Sequence, residues 1–197
     1  MLGMRSTALL AGLLLTATSL ASATGAPCGE LPPDWRANLL LALNRLRAEG
    51  ASCNAGMPNP GAAQTQPMDR AVLGAPALTW HDTLDLIAQQ QAIWIAWSGQ
   101  AQHLGPAGES PAQRALAAGY EFAAVAENVA LGLPTVDAAV QAWRGSAAHC
   151  KNLADRRLLD AGVACRVSAA GPAWVLTLAA PRAPAGSTPA PTPTLTR

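Results

Sequence analysis

The 197-residue chain has few charged residues, and this scarcity limits what it can bind. Only 13% of the residues are Asp, Glu, Lys or Arg, and the formal net charge is +1. No stretch gathers Lys and Arg into the basic stripe that neutralises several phosphates in a nucleic-acid complex. We therefore expect no nucleic-acid partner.

The sequence also lacks the spacings that mark several classes of enzyme and metal site. It contains no HExxH pair, no G-x-S-x-G turn and no C-x-x-C pair. The absence of these motifs argues against a zinc protease of the HExxH type, an α/β-hydrolase, a thioredoxin-like redox centre and a zinc knuckle. No internal repeat is present, and the length favours one modest domain with appendages.

Long apolar runs are missing after the N terminus. Residues 1–23 contain Arg5, an apolar run from Ala8 to Leu15 and the small residues 21–23, which is the pattern of a signal peptide. An N-terminal anchor is the alternative. No second run reaches the length of a membrane span. We therefore expect no integral span after processing, and a secreted or periplasmic location.

The four cysteines are Cys28, Cys53, Cys150 and Cys165. Structural disulfides are typical of an oxidising compartment, which agrees with export. Four cysteines permit three pairings, and sequence alone does not select one. We favour Cys28–Cys53 and Cys150–Cys165, because each pair closes a local loop.

Periodicity predicts helices early in the chain and strands late. Segments with helical spacing or caps cover residues 34–50, 81–99, 110–119 and the stretch from Thr135. Two strand-like runs at 162–168 and 173–181 predict an antiparallel hairpin. This order indicates an α+β fold. Residues 182–197 are rich in Pro, Thr and Ala, and they predict a disordered tail.

Glu127 is the most unusual charged residue of the chain. It lies in the apolar stretch "AENVALG", so its backbone is expected in or beside the core. A carboxylate there needs an Arg, a protonated His, a metal ion or backbone N–H groups as a partner. A structural pair, for which Arg114 is a candidate, and a functional site both stay open.

Two enzymatic arrangements could use the histidines of the middle region. His103, Glu127 and His149 are residue types of a catalytic zinc site, and Ser146 with His149 and Glu127 would supply a nucleophilic triad. Neither arrangement has a supporting spacing. Ser146 is better explained as the cap of the helical turn "AAHCKNLAD", and His81 as a capping or exposed residue. His149 precedes a cysteine, which should hold its backbone firmly, as a ligand or catalytic group requires.

Several motifs together resemble one protein family. The series "QHLGPAGESPAQRALAAGY", "AENVALG", "AVQAWRGSAAHCKNL", "AGVAC" and "AWVLTLA" is similar to the bacterial branch of the CAP superfamily, named for cysteine-rich secretory proteins, antigen 5 and plant pathogenesis-related proteins. The resemblance covers about Trp35 to Ala180. It implies an α-β-α sandwich with a small antiparallel sheet between helical layers, and it assigns residues 28–181 to one CAP domain.

The resemblance also implies a cleft lined by His103, Glu127 and His149. Ser146 stands near the position where eukaryotic members carry a second Glu, so the full set of two His and two Glu is absent. The implied ligand is a divalent cation such as zinc, held by His103 and His149, or a small and lipid-like molecule. The alternatives are a structural or interaction protein that binds an extracellular protein, and a hydrolase. We expect a monomeric binding module rather than an enzyme.

Overall fold

The computed structural model describes residues 28–50 and 74–183. The signal peptide predicted at 1–23, the partner of Cys53, and residues 184–197 of the tail predicted at 182–197 lie outside these residues. The α-helices of the described part are α1 (Trp35–Glu49), α2 (Asp82–Ser98), α3 (Pro111–Ala117), α4 (Val136–Gly145) and α5 (Ala147–Ala154). The strands are β1 (Thr79–Trp80), β2 (Phe122–Leu131), β3 (Asp160–Arg166) and β4 (Ala173–Pro181).

Four of these helices have an N-terminal residue whose side chain caps the first turn. Ser110 and Gln113 form a reciprocal capping box at α3, and Thr135 Oγ1 accepts a hydrogen bond from the third residue of α4. Ser146 caps α5, and His81 caps α2 by accepting a hydrogen bond from the backbone N–H of Thr83. Each cap satisfies a backbone donor that the first helical turn leaves unpaired. The capping roles predicted for Ser146 and His81 are confirmed.

The four strands form one sheet in the order β1-β3-β4-β2. The predicted hairpin is confirmed, because β3 pairs antiparallel with β4 from Asp160↔Ala179 to Arg166↔Ala173. Strand β2 pairs antiparallel with the other side of β4. The short β1 pairs parallel with β3, so the sheet is mixed rather than wholly antiparallel. Strand β2 was not predicted, since Ala, Glu and Asn are poor strand formers.

Helices cover both faces of the sheet and complete the predicted α-β-α sandwich. Alternate residues of β4 point to opposite faces, as the period of a strand requires. Trp174, Leu176 and Leu178 pack with residues of α1, α4 and α5. Val175 and Ala179 pack with α2 and α3 on the other face. The sheet is therefore the shared core of two helical layers.

Gly162 allows α2 to lie close to β3. A Cβ atom at this position would stand 2.0 Å from the backbone nitrogen of Asp85 and 2.2 Å from the carbonyl carbon of Leu84. Both neighbours are backbone atoms of the first turn of α2, so they cannot turn aside as a flexible side chain could. The missing side chain therefore sets how closely the helix approaches the strand.

The disulfide pairing differs from the prediction. Cys28 is bonded to Cys165, with a sequence separation of 137 residues. This bond contradicts both Cys28–Cys53 and Cys150–Cys165. Cys150 is also disulfide-bonded, while Cys53 lies outside the described residues. Closure of a local loop was the wrong criterion, because the short helical turn Cys28–Glu30 packs against β3, which carries Cys165.

No helix within the two described ranges is both long and apolar enough to cross a bilayer.

Candidate functional site

The candidate site lies on β2, an edge strand of the sheet. Glu127 and Asn128 are adjacent on this strand and are only 5% and 0% exposed. Adjacent strand residues point to opposite faces. Glu127 contacts α3 and the loop before it, whereas Asn128 contacts α5. The two residues therefore connect β2 to both helical layers at one level of the strand.

Both carboxylate oxygens of Glu127 have a partner. Oε1 lies 3.0 Å from Nδ1 of His103, and Oε2 accepts a hydrogen bond of 2.6 Å from Nη2 of Arg114. Burial of this side chain is compensated by the Arg114 ion pair, as burial of a charge requires. The structural pair that the sequence left open is thus present. The same carboxylate also contacts the candidate site residue His103.

His103 lies in a loop whose backbone is held at three successive carbonyls. The carbonyls of residues 102–104 accept hydrogen bonds from Gln91 (2.7 Å), Arg114 (3.0 Å) and Trp94 (3.1 Å) in turn. Gln91 and Arg114 are buried, so these donors are themselves fixed by packing. Side-chain hydrogen bonds thus position the backbone of this loop, which has no regular secondary structure. The imidazole remains 48% exposed.

His149 approaches the site from the opposite layer. Its carbonyl accepts a hydrogen bond of 3.1 Å from the amide of Asn128, and Asn152 donates to the same Asn128 side chain at 2.9 Å. The ring centroids of His103 and His149 are 6.4 Å apart, with an interplanar angle of 68°. Burial, and then repulsion by His103, lower the pKa of His149. Both causes favour the neutral form of His149.

Ser146 lies near these residues because it caps α5. Its hydroxyl oxygen accepts a hydrogen bond of 3.5 Å from the backbone N–H of His149. In the described part of the chain, Ser146 makes no hydrogen bond with an imidazole. The structure therefore gives Ser146 the cap role and offers no Ser–His nucleophilic pair.

The donor set limits the metal that this site could hold. Because the Glu127 carboxylate can only accept, Nδ1 of His103 must donate to it, which leaves Nε2 as the lone-pair nitrogen. Imidazole nitrogen is a good ligand for zinc. Within residues 28–50 and 74–183, however, no three His, Cys, Asp or Glu side chains gather to hold a metal ion. The residues fit a site with two imidazoles, not one with three protein ligands.

Sequence reasoning found the titratable residues of this cluster and missed its amides. Gln91 could have been found, since it stands at a core-facing position of α2 between Ile87 and Ile95. A polar residue at such a position needs a buried partner. Asn128 and Asn152 have no pattern that separates them from surface amides. We refer below to His103, Glu127 and His149 as the histidine cluster.

A pocket of about 490 Å³ lies elsewhere, between α1, β1 and the start of α2. Arg36 stands in it beside the rings of Trp35 and Trp80, 4.7 and 5.9 Å from their centroids, and donates to Asp85. No residue of the histidine cluster lines this pocket. Its lining residues are Pro33, Asp34, Arg36, Ala37, Leu40, Trp80, Asp85 and Gln89.

Comparison with known proteins gives one family match and several structural likenesses. Residues 40–178 match the model of the cysteine-rich secretory protein (CAP) family. No curated protein sequence matches the chain. An outer surface protein of Borrelia burgdorferi is 19% identical, with a TM-score of 0.58, over 75% of this chain and 92% of that one.

Two other solved structures are similar over parts of the chain. Venom allergen-like protein 4 of Schistosoma mansoni is 16% identical, with a TM-score of 0.48, over 75% of this chain and 88% of that one. An extracellular protein of Bacillus anthracis that contains an SCP domain is 21% identical, with a TM-score of 0.48. The match covers 53% of this chain but only 34% of the Bacillus protein, so this chain spans about a third of that relative.

The family match extends over more than half of the chain and includes all three residues of the histidine cluster. The likeness to the Borrelia protein independently supports the same fold. This chain therefore belongs to the CAP family of cysteine-rich secretory proteins.

Proposed function

We propose that the protein is an exported CAP-domain binding module, secreted or periplasmic, that binds a divalent cation such as zinc between His103 and His149. The observation that carries the proposal is the 3.0 Å contact between Nδ1 of His103 and the buried Glu127 carboxylate. A carboxylate that accepts from one imidazole nitrogen orients the ring and makes the other nitrogen a better ligand. Glu127 then acts on the ion through His103 and does not contact it.

The electrostatic state of His149 supports a role as the second ligand. A histidine ligates only in its neutral form. Burial and the neighbouring His103 lower the pKa of His149, so its ring is available at neutral pH. Binding should fade as the pH falls below about 6, where imidazoles take up protons.

The ring separation is close to what one ion requires. An imidazole nitrogen binds zinc at about 2.0–2.1 Å, which puts each ring centroid about 3.2 Å from the ion. At a tetrahedral angle, two such centroids lie about 5.2 Å apart. The observed separation is 6.4 Å, and torsions of two partly exposed side chains can close this gap. Two protein ligands, with water in the other positions, would give a modest affinity.

Calorimetric titration with zinc chloride at pH 7.5 tests the proposal on protein purified without a polyhistidine tag. Wild type should bind about one ion per chain. Variants His103→Asn and His149→Asn should lose the heat of binding, and Glu127→Gln should weaken binding by about 10–100-fold. The matched control is His81→Asn, because it removes the remaining imidazole of the chain while Asn preserves the cap of α2. Equal heats from wild type and the double variant His103→Asn/His149→Asn would exclude the site.

A structural role of the same cluster is the second candidate, since Arg114 already satisfies Glu127. In that case the His103→Asn variant would unfold at lower urea concentration, while wild type would give no heat with zinc. A lipid-like small ligand or an extracellular protein partner would then be sought elsewhere on the surface. Hydrolase activity has the least support, because Ser146 serves as a helix cap.

A further inference from the structure

The outer side of α2 carries an apolar surface that nothing in the described chain covers. Leu86, Ile93 and Trp97 recur at helical spacing and are 50%, 52% and 77% exposed. Trp94 stacks on Trp97, with ring centroids 4.9 Å apart and an interplanar angle of 21°. Leu104, 52% exposed, adjoins this pair, since its carbonyl accepts a hydrogen bond from the indole of Trp94. We call these five residues the Trp97 face.

Charge is absent from this part of the chain. Residues 86–108 contain no Asp, Glu, Lys or Arg. Three charged side chains lie at the border: Asp85 and Arg166 bind Gln89 on the flank of the helix, and Glu109 accepts a hydrogen bond from the backbone N–H of Ala107. No ionised group of α2 beyond Asp85 would therefore have to be dehydrated if the face were covered.

We propose that the Trp97 face docks the protein onto the surface of a zwitterionic lipid bilayer. Indole rings prefer the membrane–water interface, because they combine a large apolar ring with one polar N–H. The N–H of Trp94 already donates to the Leu104 carbonyl, so this ring can enter the apolar layer without leaving an unpaired donor. The N–H of Trp97 makes no hydrogen bond within the described residues and is available to a headgroup.

The shape and polarity of the face agree with a bilayer better than with a protein partner. Leu86 and Trp97 are eleven positions apart on α2, which corresponds to a stripe about 17 Å long. A single helix of this kind can lie in the plane of a fluid interface that needs no preformed groove. Protein interfaces of standard size are enriched in Arg at their core, and residues 86–108 contain no Arg.

Docking would bring the histidine cluster close to the membrane surface. Leu104 belongs to the Trp97 face and directly follows His103, whose loop is held by Trp94 and Gln91 of α2. The inference does not depend on cation binding, because no residue of the face is a proposed ligand. The opposite layer gives a comparison, since Leu41 on α1 is 52% exposed on the far side of the sheet.

Flotation with phosphatidylcholine vesicles tests this proposal on the protein as the cell exports it. Wild type should float with the vesicles, and Trp97→Ala should lower the partition coefficient about tenfold. Leu86→Ala and Leu41→Ala form a matched pair, because they remove equal side chains of almost equal exposure from opposite layers. Leu86→Ala should weaken binding about threefold, and Leu41→Ala should leave it unchanged. Trp97→Phe should restore most of the binding that Trp97→Ala loses.

All variants share one N terminus, so any contribution from the Ala8–Leu15 run is the same in each. No binding of wild type to these vesicles would overturn the proposal, and so would binding that Trp97→Ala leaves unchanged. Binding only to anionic vesicles would equally overturn it. Sedimentation velocity tests whether a second copy of the chain covers the face instead. A dimer that Trp97→Ala dissociates, without vesicle binding, would assign the face to that second copy.

Discussion

Two buried arginines hold the layers of this protein in different ways. Arg47 on α1 is 1% exposed, and Arg114 on α3 is 6% exposed. Arg47 donates its hydrogen bonds to backbone carbonyls, those of Pro76, Leu153, Asp155 and Leu158. Arg114 donates to the carbonyls of His103 and Glu109, and it also pairs with the carboxylate of Glu127.

The difference teaches which buried charges indicate a site. Carbonyl oxygens do not titrate, so the Arg47 network is a permanent link between α1 and the segment that leads into β3. The Arg114 network ends on a carboxylate whose second oxygen contacts a half-exposed imidazole. A buried arginine that binds only backbone carbonyls therefore has a structural role, which we call a framework role. A buried ion pair that orders an exposed titratable group is a better indication of function.

Replacement of Arg47 should have the largest effect. The Arg47→Met variant keeps an unbranched apolar side chain in the helix but leaves four carbonyls without their donor. We expect the free energy of unfolding to fall by about 4 kcal/mol, because buried acceptors would lose bonds to a charged donor. Urea denaturation measures this loss. Arg45→Met on the exposed side of α1 is the control and should change stability by less than about 0.5 kcal/mol. A loss from Arg47→Met as small as that of the control would contradict the framework role.

Replacement of Arg114 should have a smaller effect that a second change partly reverses. The Arg114→Met variant leaves Glu127 buried without its guanidinium, and we expect a loss of about 3 kcal/mol. The double variant Arg114→Met/Glu127→Gln removes the unpaired charge and should recover about 1 kcal/mol or more of this loss. Urea denaturation of wild type, Arg114→Met, Glu127→Gln and the double variant gives the coupling energy between the two residues. Additive effects would show that the ion pair has no coupling energy and that both buried arginines belong to the framework.

Much of the fold could be predicted because its signals are local. The caps at Ser110, Thr135 and Ser146 precede helical patterns by one residue, and the β3–β4 hairpin requires only a short turn. Strand β2 is different, since it depends on pairing with β4 about fifty residues later. The Cys28–Cys165 disulfide was not predicted for the same reason, because it joins two segments that are distant in the sequence. Contacts between distant segments produce no periodic sequence pattern in either segment, so local sequence analysis does not predict them.

The candidate site was predictable only through its titratable residues. Glu127 is conspicuous as a carboxylate in an apolar stretch, and His103 and His149 follow from the family resemblance. Two amides hold these residues: Gln91 is marked only by its core-facing position on α2, and Asn128 has an ordinary position in the sequence. Their roles depend on which carbonyl lies opposite in the folded chain, and that information is absent from local pattern.

Acid should have the smallest of the expected effects on stability, and it should act on His149 and on Asp155 at different pH values. The pKa of His149 is lowered, first by burial and then by repulsion from His103. The unfolded chain then takes up this proton more readily than the folded chain. Protonation therefore favours unfolding, and stability should fall as the pH drops below about 6.5.

Asp155, beside Arg47, should respond only at lower pH. Hydrogen bonds from Arg157 are the first cause of its lowered pKa, and the positive charge of Arg47 adds to it. Here too the unfolded chain binds the proton first, so this contribution is lost as the pH falls below about 4. Thermal melts from pH 7.5 to 3 measure both steps. His149→Gln should flatten the decrease in Tm between pH 7 and 5 only, and Asp155→Asn the decrease below pH 4 only. If both variants flatten the same interval, protonation of His149 and protonation of Asp155 are not separated in pH and this prediction is wrong.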